Sequence, residues 1–122
     1  MDETLTGSCH CGAVTVRVPA DAVGVVACHC GDCQKLHGNF FAMLAVDRAA
    51  VTVTGEDALR WYDSSAKARR SFCGQCGSRI AKDPHGSPKV LFSVGLFEKT
   101  LPRRIIRQVM PESKPDWYDL PT

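Results

Sequence analysis

The chain has 122 residues, a length that fits one domain, residues 1–122, with a small hydrophobic core. A net charge of +2, carried by scattered Lys and Arg, is too weak to argue for a nucleic-acid partner. The longest strongly apolar run, residues 40–46, falls far short of the roughly 20 residues of a membrane span, and the N-terminus lacks the basic and apolar regions of a secretory signal, so the expected location is the cytoplasm.

In chain order, the first feature is Gly7-Ser8-Cys9-His10-Cys11-Gly12. If this segment is extended, Cys9 and Cys11 share a face, and Gly12 permits an unusual backbone angle. Residues 13–18 alternate as a strand does and end at Pro19; 20–22 read as a turn and 23–27 as a second strand that delivers Cys28. Then comes Cys28-His29-Cys30-Gly31-Asp32-Cys33-Gln34, with three thiols in six residues. Asp32 is a plausible N-cap for a short helical turn over 33–37, ended by Gly38, and Cys33 would sit near its start, where the thiolate is favoured. Strand-like segments follow at 40–46 and 51–54, with a turn at Asp47-Arg48, another turn at 55–57, strand composition at 59–62 and a polar loop at 63–65. Residues 67–72 lead into Cys73-Gly74-Gln75-Cys76-Gly77, which has the spacing of a zinc knuckle. Residues 79–81, 90–94 and 104–109 predict further strands, with a loop at 83–88. The tail, 111–122, predicts an extended surface path with Trp117 and Tyr118 packed down to hold it. Short strands at turn-rich intervals give a mostly β fold.

Seven cysteines cannot all pair, and dense thiols in a reducing compartment are metal ligands more readily than disulfides. Zinc prefers four ligands and takes thiolate sulfur at about 2.3 Å. Seven therefore divides into four plus three: one closed site and one with an open position, the feature that separates catalytic from structural zinc. Spacing alone leaves the partition open, since Cys28 and Cys30 could equally join the knuckle.

Together the three clusters resemble the family of glutathione-dependent formaldehyde-activating enzymes, also called the centromere-protein-V/GFA domain. The residues that carry the resemblance are Cys9-His10-Cys11-Gly12, Cys28-His29-Cys30-Gly31-Asp32-Cys33-Gln34 and Arg70-Ser71-Phe72-Cys73-Gly74-Gln75-Cys76-Gly77. The resemblance implies an Mss4-like zinc-bound β fold of short antiparallel strands and two zinc ions per chain. Cys9, Cys11, Cys73 and Cys76 would close the structural site, and Cys28, Cys30 and Cys33 would hold the second, open and catalytic zinc. It further implies a carbon–sulfur lyase type of activity, forming or cleaving adducts between a small thiol such as glutathione and an aldehyde. An open site releases metal more readily than a closed one, so partial occupancy of the second site is expected.

Glutathione carries two carboxylates, for which Lys35, Arg48, Lys67, Arg69 and Arg70 are candidate partners by closeness in sequence. His10 and His29 lie between ligand cysteines and are expected to point away from the metal. His37 is either a base or substrate contact or a solvated loop residue. The competing reading is a zinc-stabilised binding or structural module, in which His29, His37 or Asp32 closes the second site. A redox-labile zinc sensor is a third. The sequence specifies no oligomeric state.

Overall fold

The computed structural model describes residues 4–20, 24–97, 104–117 and 119. Among these residues, ten strands and one α-helix follow in order, besides four single 3-10 turns: β1 (Thr4–Ser8), β2 (Thr15–Pro19), β3 (Val25–Cys28), α1 (Gly31–His37), β4 (Phe41–Asp47), β5 (Thr52–Thr54), β6 (Leu59–Ser65), β7 (Ala68–Cys73), β8 (Arg79–Pro84), β9 (Lys89–Ser93) and β10 (Ile105–Val109). They form a three-stranded sheet, β1-β2-β5, and a seven-stranded sheet, β10-β3-β4-β9-β8-β7-β6. Every pairing is antiparallel except β10 with β3, which is parallel. No helix among the described residues is long and apolar enough to cross a membrane.

Strand alternation divides the large sheet into two faces with different tasks. One face carries Leu44, Val46, Ile80, Val90 and Phe92, which pack with Val16 and Val18 of the small sheet, and with Val14 just before β2, into the main core. The three valines lie at alternate positions of one segment and are at most 1 % exposed, so the pattern 13–18 predicts is met with its apolar side inward. The other face carries Phe41 and Met43, which with Cys28 and Cys33 form a second, smaller cluster beneath α1.

Several boundaries differ from the sequence expectation. The strand at 59–62 runs on through Ser65, and β8 extends to Pro84, because β6 and β7 pair down to Ser65↔Ala68 and β7 and β8 to Ala68↔Pro84. Asp63, Ser65, Asp83 and Pro84 are therefore ladder residues, with Ser64 at a bulge between the first two; cross-strand pairing outweighs composition here. Trp117 is 65 % exposed, against the expected packing of the tail, and Tyr118 lies outside the described residues. The same holds for residues 1–3, for 21 and 22 of the expected turn and for Val23 of the expected strand; the strand itself is seen from Val25.

Candidate metal centres

Both cysteine groups assemble. Cys9 and Cys11 lie in the β1–β2 connection, and Cys73 and Cys76 lie at the end of β7 and in the turn after it. The four sulfurs lie within 4.8 Å of one another. The Cys9–Cys11 and Cys11–Cys73 sulfurs are each 3.7 Å apart. A tetrahedral tetrathiolate with metal–sulfur bonds of about 2.3 Å has sulfurs about 3.8 Å apart, whereas a disulfide would bring them to about 2.0 Å. All seven cysteines are free. The donor set and its spacing thus fit a thiophilic ion.

The local geometry differs from the extended segment expected at Cys9–Cys11. The chain turns instead, with Gly12 N–H donating to the Cys9 carbonyl at 3.1 Å and Gly12 at φ +83°. This turn, not strand alternation, brings the two sulfurs together. On the other arm, Cys73 and Gly77 close a second turn through a 2.8 Å bond from Gly77 N–H to the Cys73 carbonyl. Backbone N–H groups then point at the sulfurs, Val14 to Cys9 at 3.3 Å and Gln75 to Cys73 at 3.4 Å. The Ser78 hydroxyl, 3.2 Å from the Cys76 sulfur, holds that thiol down to about 5. For Cys11, the Ala13 backbone bond lowers the thiol, but burial and the three neighbouring thiols outweigh it and push it up to about 11. Thiols this close cannot all ionise unless a cation shares their charge, which is what a metal would do. Because Cys9 and Cys11 belong to the small-sheet hairpin and Cys73 and Cys76 to the large sheet, an ion here would clamp the two sheets together.

The second group comprises Cys28, Cys30 and Cys33, again within 4.8 Å. Cys28 ends β3. Cys30, rather than the expected Asp32, is the N-cap of α1, and its sulfur accepts the Cys33 N–H at 3.4 Å. Asp32 is exposed in the first turn of the helix. Gly38 ends the helix at φ +83°, as expected. Competition is stronger here. The Cys33 thiol holds Cys28 down to about 5, while Cys28 and burial push Cys33 up, against the helix-start expectation. Lys82 also lowers Cys28 through its charge.

Arg70 lies on the same sheet face and is only 6 % exposed. Both its Nη1 and Nη2 are 3.5 Å from the Cys33 sulfur. Its Nε donates to the Ser64 hydroxyl at 3.2 Å and its Nη1 to His37 Nε2 at 3.4 Å. Arginine has no acceptor, so His37 must present a bare Nε2 and carry its proton on Nδ1. Burial and the charges of Arg70 and Arg79 keep His37 neutral, with its pKa moved from 6.5 to about 4. Its ring stacks flat on Phe41, centroids 4.1 Å apart. His37 is thus a half-buried part of the site, not a solvated loop residue.

The remaining candidates sort by sheet face. Arg48 and Arg69 pair with Asp83 at 2.7 and 3.1 Å. Arg69 alternates with Arg70 along β7 and therefore faces away from Cys33. Lys35 and Lys67 are exposed. Of the basic residues expected near the substrate, only Arg70 touches a cysteine. His29 is fully buried, with Nε2 2.6 Å from Gln108 Oε1, and His10 is exposed; neither joins a cysteine group. Among the described residues no His, Asp, Glu or further Cys completes the Cys28/Cys30/Cys33 group. Lys82 was not among the sequence candidates. Its signal is the β7–β8 register, which alternation within one strand does not reveal.

A family model described as glutathione-dependent formaldehyde-activating enzyme matches residues 4–114. A Halomonas elongata protein named for the same family is 31 % identical, over 95 % of this chain and 80 % of that protein. A Schizosaccharomyces pombe protein named as an uncharacterized lyase is 25 % identical, over 93 % of this chain and 82 % of its own length. A crystal structure of a Rhodobacter sphaeroides protein superposes with a TM-score of 0.67 at 23 % identity, covering 85 % of this chain and 99 % of that one, which supports the fold. Matched by the family model from Thr4 to Lys114 and built around the two cysteine groups, the chain belongs to the family of glutathione-dependent formaldehyde-activating enzymes.

Proposed function

We propose that this protein is a zinc-dependent enzyme of the carbon–sulfur lyase type that forms and cleaves the adduct of a small thiol, glutathione in the family's name, with an aldehyde such as formaldehyde. The observation that carries this is the three-thiolate group without a fourth side-chain ligand among the described residues. Cys28, Cys30 and Cys33 would hold the catalytic zinc, and Cys9, Cys11, Cys73 and Cys76 the structural one. On this reading residues 1–122 are a single zinc domain, and the cytoplasm is the compartment whose reducing poise keeps seven thiols available.

A zinc ion in the three-cysteine site would supply Lewis acidity, so that a thiol entering the open position ionises near neutral pH. The chain's own residues prepare that position. Arg70 fixes the Cys33 sulfur with two N–H groups and places a permanent positive charge beside the thiolates. Phe41 and Met43, buried beneath the group, keep its inner side dry, which strengthens each of these charge interactions. His37 offers no proton from Nε2, which accepts from Arg70. In the adduct-forming direction the sulfur electron pair makes the carbon–sulfur bond, and the carbonyl π pair moves to oxygen. The proton given up by the thiol returns on that oxygen. No electron is gained or lost, so no redox cofactor is required.

The test is zinc per chain together with exchange NMR of glutathione and formaldehyde. Two zincs falling to one in Cys30→Ala, with exchange accelerated by the native protein and not by the variant, is the expected outcome. A two-zinc native protein that leaves the exchange rate of glutathione and related thiols unchanged would sink the enzyme reading in favour of a structural or binding module.

A further inference from the structure

Lys82 and Arg70 are directly opposed in the β7–β8 register, on the sheet face that carries the three-cysteine group. Like charges directly opposite each other destabilise a ladder unless an anion lies between or above them. Arg70 is committed to Cys33, His37 and Ser64. Lys82 is half-buried; its charge acts on the Cys28 thiol, but among the described residues its side chain makes no hydrogen bond or close ion pair. The other register partner of Lys82 is apolar: Leu91, which packs against the Cys28/Cys33 cluster. A half-buried lysine lays its stem along apolar surface and keeps its ammonium accessible, here on the face of the cysteine group, where an anion could meet it.

Charge counting alone does not call for a second anion. Three thiolates around a divalent ion leave one negative charge, and Arg70 and Lys82 bring two positive ones. The surroundings are one anion short until a thiolate enters, and Lys82 then still lacks a hydrogen-bonding partner of its own. The neighbouring cations are less suited to that role. Arg79 donates to the Leu36 carbonyl at 3.2 Å, and Arg60 to the carbonyls of Asp57 and Leu59. Arg107, on β10, is exposed and solvated.

We propose that Lys82 is a specificity-determining residue that takes a carboxylate of the thiol substrate, so that the site selects thiols carrying a carboxylate near the sulfur. This rests on the reading of the three-cysteine group as an open thiol site. The carboxylate would lie on the Leu91 side of the sheet face, flanked by Arg70, with its thiol directed to the cysteines.

The experiment is calorimetric titration of the zinc-loaded protein with glutathione and with glutathione diethyl ester, whose carboxylates are masked. The readout is the ratio of the two affinities. In native protein glutathione is expected to bind more tightly than the ester. In Lys82→Met the preference is expected to fall about tenfold, the value of a charge-assisted hydrogen bond at its lower end, and in Lys82→Arg most of it is expected to survive. A preference unchanged in Lys82→Met, with native binding intact, overturns the inference and leaves the open-site reading standing. Equal weakening of both ligands also overturns it, because Lys82 would then act on the sulfur rather than on a carboxylate. If neither ligand binds the zinc-loaded native protein, the open-site reading falls, and this inference with it.

Discussion

Replacing Arg70 by Met keeps a comparable apolar stem and removes the guanidinium. In the native chain two N–H groups reach one sulfur at 3.5 Å each. Sulfur is a weak acceptor, so each is assigned the lower end of the charge-assisted range, roughly 1.5 kcal/mol. Their sum, roughly 3 kcal/mol, corresponds to about 100-fold in affinity, the upper end for residues that support metal ligands from outside the coordination shell. The loss should fall only on the site of Cys28, Cys30 and Cys33, because the knuckle cysteines take their donors from Val14, Gln75 and Ser78. The assay is competition for zinc against a chromophoric chelator, which resolves a strong and a weak class of site. Arg70→Met should weaken one class about 100-fold and leave the other within a few-fold, and Arg70→Lys, which keeps the charge but not the fork, should fall between. Unchanged affinity at both classes would refute the assignment. Equal loss at both would show that Arg70 supports the fold as a whole rather than Cys33.

Zinc at the four-cysteine site is expected to contribute about 10 kcal/mol, comparable to the whole stability of a small domain. Cys76→Ser, or chelation of the native chain, should therefore abolish the cooperative thermal transition seen by circular dichroism; an unchanged melt would show that the sheets hold without the clamp. Gly55 sits at φ +82°, and a Cβ there would overlap the Ala13 carbonyl oxygen, whereas Gly12 at φ +83° has open space around it. Gly55→Ala should cost roughly 3 kcal/mol and Gly12→Ala about 1 kcal/mol in denaturant unfolding; equal costs would refute the steric part. The ring signals of His37 should titrate with a midpoint of about 4 rather than 6.5, with the neutral ring protonated on Nδ1. Since the unfolded chain takes up this proton first, stability should decline as pH falls from 6.5 toward 4, and no further below that from this group. A midpoint near 6.5 in NMR would refute the burial of His37 beside the charges of Arg70 and Arg79.

Local chemistry determined much of this protein from its sequence alone. The valines at 14, 16 and 18 announce a half-buried strand because a strand repeats every two residues, and Gly38 announces a helix end because few other residues accept its backbone angle. Seven thiols in three tight clusters announce candidate metal sites because their spacing is a property of the chain itself. The partition of those thiols was decided by the tertiary structure. Cys11 and Cys73 are separated by 62 positions, and only the packing of the small sheet on the large one puts their sulfurs 3.7 Å apart. The same holds for the basic residues. Arg69 and Arg70 are neighbours in sequence, yet alternation sends one to Asp83 and the other to Cys33. Which face of the large sheet lies under α1, and hence which arginine meets a thiol and which lysine stands opposite it, follows from strand order and register. Those are set by burial and pairing across the whole domain, and no local stretch of sequence encodes them.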